Sequence, residues 1–117
     1  MLGAAGDRGA TFFAISDGSV VGLVSAHRPI PAALSAELVS MWVSPPHRGA
    51  GVAAELVTAV VAWARQIGMA TVELWVTRGN DAAVRLYETA GFRSTEGHRP
   101  LPSDPCKSEL RMHLPLG

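Results

Sequence analysis

The chain of 117 residues has one cysteine, Cys106, which excludes an internal disulfide and any metal site built from several thiolates. It has no surplus of charge. Ten Lys and Arg balance ten Asp and Glu, so the basic excess of a nucleic-acid binder is missing. It has no long apolar run either: the longest, Ala59 to Ala64, is six residues, against roughly 20 for a bilayer-crossing helix. Met1 to Asp7 lacks the basic start and apolar core of a secretory signal. The four histidines show no metal-ligand spacing, and no metal is expected. What is present is a 48% hydrophobic composition, too apolar for disorder, on a length that builds a single core. The expectation is one soluble, cytoplasmic domain over 1–117, with no nucleic-acid or membrane partner.

Thr11–Ser16 and Val20–Ala26 are β-prone runs around Asp17-Gly18-Ser19, a strong hairpin signal. His27 to Ser35 reads as a loop, and Glu37–Val43 as a third strand stopped by Pro45-Pro46. Val52, Leu56, Ala59, Val60, Trp63 and Ile67 then recur at helical steps, with Gly68 where a helix-ending glycine belongs. Thr71–Val76 is a fourth strand. Strand, helix and strand form a βαβ unit, so 37–43 and 71–76 are predicted to be parallel neighbours. Asn80-Asp81 opens a shorter helix that ends at Gly91, and Phe92 starts another strand. Arg99–Lys107, with three prolines, reads as a long loop. Ser108–Leu114 alternates as a half-buried antiparallel strand, with Glu109, Arg111 and His113 on its polar face. The fold class expected is α+β, a mixed, largely antiparallel sheet with a central βαβ unit.

The stretch richest in chemistry is Val43-Ser44-Pro45-Pro46-His47-Arg48-Gly49-Ala50-Gly51-Val52-Ala53, a glycine-containing loop that leaves a strand and enters a long helix. The first turn of a helix has unpaired N–H groups and a partial positive charge. Gly49 and Gly51 let an anion come close to those amides, Arg48 adds a positive charge, and His47 can add another. This is a local recipe for a pyrophosphate seat. A plain helix-capping turn fits the same residues. Gly49-x-Gly51-x-x-Ala54 also formally matches a dinucleotide fingerprint, but four residues separate the strand from the first glycine and a hairpin precedes the unit. The Gly-Lys-Ser/Thr of a triphosphate P-loop is absent.

Arg48-Gly49-Ala50-Gly51-Val52-Ala53 resembles the R/Q-x-x-G-x-G/A motif of the GNAT superfamily of acyl-CoA-dependent N-acetyltransferases. A second family signature follows as Asn80-x-x-Ala83-x-x-Leu86-Tyr87-x-x-x-Gly91-Phe92. The resemblance runs from about Thr11 to Leu114, and it implies an enzyme that moves an acetyl group from acetyl-CoA to a primary amine of a small molecule or peptide. The alternative it leaves is an acyl-CoA-binding module without turnover. By similarity, Arg48, Gly49, Ala50, Gly51, Val52 and Ala53 would cradle the coenzyme, with Met41, Trp42 and Val43 on strand 37–43 along its pantetheine arm. The Met41 amide would face the thioester oxygen, and Tyr87 would be the general acid. Asn80 and Ala83 fall at cofactor-contacting positions of the motif, and Asn80 is equally a helix N-cap. Glu37, four residues before Met41, is the first base candidate and also reads as an exposed strand-end charge; Glu73 and His27 are weaker.

Trp42, Trp63 and Trp75 read as core or pocket-wall residues, and Cys106 has no histidine partner that would make it a nucleophile. Family members carry a strand and two helices before the hairpin, and Met1–Ala10 is too short and Gly/Ala-rich to build them. The expectation is an unpaired edge on strand 11–16, exposed apolar surface, and a homodimer that covers it. The Arg99–Lys107 loop and the hairpin at 16–20 would border the acceptor.

Overall fold

Asp17 and Gly18 both take positive φ, 50° and 78°, the backbone of a type I′ turn whose twist matches that of the strands it joins. It connects β2 (Gly9–Ser16) to β3 (Ser19–His27). The computed structural model describes residues 2–116, and the side chains of all of these except 2, 96 and 105. β1 (Leu2–Ala5) precedes the hairpin. After it come β4 (Ser35–Val43), α1 (Val52–Gln66), β5 (Thr71–Thr77), α2 (Asp81–Thr89), β6 (Arg93–Leu101) and β7 (Asp104–Pro115). The seven strands form one sheet in the order β1-β2-β3-β4-β5-β7-β6. Among the described residues only β4 and β5 pair in parallel, as the βαβ reading requires.

The helical spacing of α1 places Leu56, Val57, Val60, Trp63 and Ala64 on its buried face. Gly22 of β3 sets how closely that face can lie: a Cβ there would stand 3.1 Å from Val52 Cγ1 and 3.2 Å from Leu56 Cδ1. Along β5 the alternation is regular, with Val72, Leu74 and Val76 buried in the core with α1 and Met112. Thr71, Glu73, Trp75 and Thr77 take the opposite face. α1 stops at Gly68, which has φ 81° and allows paired bonds from Gly68 N to Arg65 O (3.1 Å) and Met69 N to Ala64 O (2.9 Å).

Two expectations are corrected. The first ten residues do build a strand, and the edge of β2 is covered: Leu2 to Ala5 pair with Phe13 to Ala10. Its sequence hides it because small residues are needed there. A Cβ on Gly3 would stand 2.6 Å from Thr11 O and 2.7 Å from Phe12 Cδ1. The turn behind it is closed by Gly6 N to Gly9 O (2.9 Å) and tied to α1 by Trp63 Nε1 donating to Gly6 O (2.7 Å). Residues 99–107, read as a loop, instead form the β6–β7 hairpin, with Arg99, Pro100 and Leu101 opposite Glu109, Ser108 and Asp104. β6 is the sheet edge, where a proline's missing N–H is tolerated.

Large apolar side chains are exposed, Ile15, Val20, Val39 and Trp42 among them, and polar links lie on the sheet face away from the helices. Thr11 and Ser25 share a hydroxyl bond (3.0 Å), Ser35 and Thr71 another (2.7 Å), and Arg111 joins Glu37 and Glu73. That part of the sheet surface is polar.

Candidate active site

β4 carries one residue more than its partner. Ser25 stands opposite Ser40 and Ala26 opposite Leu38, so Val39 bulges out of the ladder. The parallel pairing of β4 with β5 ends at the same place, with Leu38 opposite Leu74. Beyond it the two strands part. A cleft of about 680 Å³ opens there, walled by Met41, Trp42 and Val43 of β4 and by Trp75, Val76 and Thr77 of β5. The lead-in to α1 supplies His47, Arg48, Gly49, Gly51, Val52 and Ala53, and α2 supplies Asn80, Ala83, Leu86 and Tyr87. The predicted residues thus converge on one cavity, except that Ala50 and Glu37 are not among its walls.

The loop before α1 is shaped to leave amides open. Ser44 leads into a 3₁₀ turn (Pro45–His47), with its hydroxyl 2.7 Å from His47 Nδ1. Gly49 and Gly51 then take φ of 80° and 85°, a conformation that favours glycine, and a Cβ at either would meet nothing within 4 Å. Gly51 is the N-cap and offers no side-chain oxygen, so the first-turn N–H groups point out unbonded by a cap. Arg48 does more than add charge. Its Nε donates to Val43 O (3.0 Å), bracing the loop against the end of β4.

α2 treats its ends differently. Asn80 Oδ1 accepts from Ala83 N (3.2 Å), so the capping role assigned to Asn80 is realised while the residue still borders the cleft. At the other end Gly91 (φ 103°) permits Gly91 N to Glu88 O (3.0 Å) and Phe92 N to Tyr87 O (2.9 Å). This stop motif brings Phe92 edge-on to Tyr87, with ring centroids 5.7 Å apart. The spacing Tyr87-x-x-x-Gly91-Phe92 is therefore a helix terminator that locks the tyrosine ring in place. Tyr87 is only 6% exposed. Burial pushes its phenol above the ordinary value near 10, so it stays protonated at neutral pH.

Glu37 lies at the last rung but one before the strands part, opposite Glu73. Arg111 Nη1 donates to Glu37 Oε1 (3.1 Å) while Nη2 donates to Glu73 Oε2. The guanidinium carbons of Arg99 and Arg111 stand 4.2 and 4.9 Å from the Trp75 ring centroid, and Arg99 Nε is 2.9 Å from Glu109 Oε1. Sequence reading gave neither arginine a partner or a role of its own. The available signal was the alternation of 108–114, which sets Arg111 on the same face as Glu73 of the neighbouring strand. Of the tryptophans, Trp63 is buried, Trp75 is a cleft wall, and Trp42 is a wall that is 42% exposed. Cys106 is exposed and outside the cleft. Among the described residues no group of three or more His, Cys, Asp or Glu could hold a metal.

The model of the acetyltransferase (GNAT) family matches residues 3–92. N-acetyltransferase family 8 member 2 of Rattus norvegicus is 37% identical over 93 residues, which are 77% of this chain and 41% of that protein. The chain spans 19% to 44% of the length of the curated acetyltransferases it matches. The crystal structure of nourseothricin acetyltransferase superposes with a TM-score of 0.85 at 27% identity, covering 94% of this chain and 66% of that one. An acetyltransferase from Salmonella typhimurium, solved with its cofactor acetyl-CoA, superposes with a TM-score of 0.81 at 23% identity, over 93% of this chain and 65% of that one. The chain belongs to the acetyltransferase (GNAT) family.

Proposed function

We propose that this chain transfers an acetyl group from acetyl-CoA to a primary amine of a small molecule or peptide. One observation carries the reading. A helix start with open amides, a pair of parting strands and a buried, protonated phenol all border one cleft. Those are the separate needs of a pyrophosphate, a pantetheine arm and a departing thiolate. The diphosphate sits over Gly49–Ala53 beside Arg48. The arm runs along Met41–Val43, and the Met41 amide faces the thioester oxygen, a contact worth about 3 kcal/mol to an oxyanion.

The neutral amine attacks the thioester carbonyl carbon. The new C–N bond forms, the C–S bond breaks, and the sulfur leaves with the bonding pair. Tyr87 gives its proton to that sulfur, and the proton lost from nitrogen goes to Glu37, directly or through water. The products are the amide and free coenzyme A. An alkylamine near pKa 10.4 must shed a proton first, at a cost of about 4–5 kcal/mol at pH 7. Solvent takes that first proton, and Glu37 takes the one lost as the amide forms.

Calorimetry with acetyl-CoA, followed by thiol release across a panel of amines, tests both halves. Heat of binding with turnover supports the reading. Binding without turnover of any amine would turn it into the acyl-CoA-binding module. No heat from folded protein would refute the cradle.

A further inference from the structure

We propose that Arg111 is a positioning residue for acetyl transfer, clasping Glu37 and Glu73 across the β4–β5 seam one rung before the cleft opens. The proposal rests on the reading of the cleft as the acetyl-CoA site and of Glu37 as the acceptor of the amine's proton.

The seam is short: β4 and β5 pair only from Ser35–Thr71 to Leu38–Leu74. Glu37 and Glu73 stand directly opposite each other at its third rung, and like charges so placed repel. Without a counter-ion the repulsion would act where the strands are about to part. Arg111 reaches this point from β7, where it pairs with Trp75 of β5. Its two terminal nitrogens divide between the carboxylates, Nη1 to Glu37 and Nη2 to Glu73. A planar guanidinium can bridge two acceptors in this way, and the point charge of a lysine holds them less well. The Trp75 ring, 4.9 Å from the guanidinium carbon, supports the group.

The clasp has two consequences. It holds the seam closed as far as Leu38–Leu74, which fixes where the cleft begins. It also restrains Glu37 through Oε1 alone, and among the described residues no donor reaches Oε2. That second oxygen remains open to take a proton. Glu73 has less freedom, because Ser35 Oγ donates to its other oxygen at 3.5 Å. Glu37 is thus the carboxylate with an unengaged atom, and Arg111 determines where that atom lies.

A mutant cycle tests this: wild type, Arg111→Met, Glu37→Gln and the double variant, each assayed for kcat and for the KM of acetyl-CoA. Arg111→Met is expected to lower kcat about tenfold with the acetyl-CoA KM changed less than twofold. In the Glu37→Gln background the same substitution should change kcat less than twofold, because Arg111 acts through Glu37. Equal losses in the two backgrounds would reduce Arg111 to a structural residue and overturn the proposal. Near-UV circular dichroism checks folding. Should Arg111→Met not fold, Arg111→Lys carries the same cycle, with loss of kcat confined to the Glu37 background expected and equal loss overturning. Wild-type protein that binds no acetyl-CoA in calorimetry, or acetylates no amine, would remove the underlying reading as well. Binding and turnover with additive losses would remove this proposal alone.

Discussion

Replacing Tyr87 by phenylalanine separates chemistry from packing. The ring contact with Phe92 survives, and among the described residues the hydroxyl has no hydrogen-bond partner to lose. Stability should therefore change by less than about 1 kcal/mol. Catalysis should change far more. A positioned general acid contributes about 100- to 10,000-fold, or about 2.7–5.4 kcal/mol of barrier at 1.36 kcal/mol per decade. Tyr87→Phe is expected to lower kcat at least 100-fold and leave the acetyl-CoA KM within twofold, measured by thiol release at saturating amine. The raised phenol pKa sets the pH dependence. The folded chain holds this proton more tightly than the unfolded one, so the stabilisation is complete below about pH 10 and is lost as pH rises through the folded value. Thermal melts should thus decline above about pH 10 in wild type, with that component missing in Tyr87→Phe. A kcat within threefold of wild type would refute the acid role and leave Tyr87 a core residue.

Gly51→Ala puts a Cβ where φ is 85° and no neighbouring atom lies within 4 Å, so it should cost about 1–2 kcal/mol of stability from backbone strain. The same Cβ enters the space over the open amides, and acetyl-CoA affinity by calorimetry should fall more than tenfold; full affinity would refute the cradle. Gly91→Ala combines φ 103° with a contact 3.1 Å from Leu114 Cδ1. A melting point lower by several degrees, at about 4 °C per kcal/mol, is expected. Asn80→Ala removes the cap of α2 and should cost about 1 kcal/mol in denaturant unfolding, with Asn80→Asp restoring it. An Asp variant as weak as the Ala variant would show that the cap is not the reason for the loss.

The helices, the β2–β3 hairpin and the parallel pair were legible because each rests on a local signal: Asp17-Gly18 for the turn, the spacing of Leu56, Val60 and Trp63 for α1, and Gly68 and Gly91 for the two helix ends. The open start of α1 at Gly49 and Gly51 was legible from the residues themselves, whereas Met41, Asn80 and Tyr87 took their places from the family resemblance carried by the two motifs. What was hidden depends on contacts distant in sequence. β1 looks like a flexible Gly/Ala stretch until Gly3 is seen against Thr11 and Phe12. The β6–β7 hairpin is masked by prolines that a sheet edge accepts. Glu37 was legible as a charge near the fork, but its tie to Arg111 spans 74 positions of chain and has no local signature.

Both helix starts bordering the cleft could in principle seat an anion, and the structure distinguishes them. Asn80 spends its side-chain oxygen on Ala83 N, which closes the start of α2. Gly51 has no side chain to spend, and the first turn of α1 stays open. Substituting glycine for a capping side chain costs a helix only a few tenths of a kcal/mol, a small loss that leaves the amides free for the phosphate of the proposed donor. The cleft is thereby polarised. Its positive end lies at α1 beside Arg48 and His47. The opposite charge lies outside the cleft walls, at the seam where β4 and β5 part, where two carboxylates share one guanidinium and leave a net negative charge. On the proposed function, an acyl donor carrying phosphates would be drawn to the start of α1 and an acceptor arriving as an ammonium toward the seam, so the thioester and the amine would meet between them, next to Tyr87.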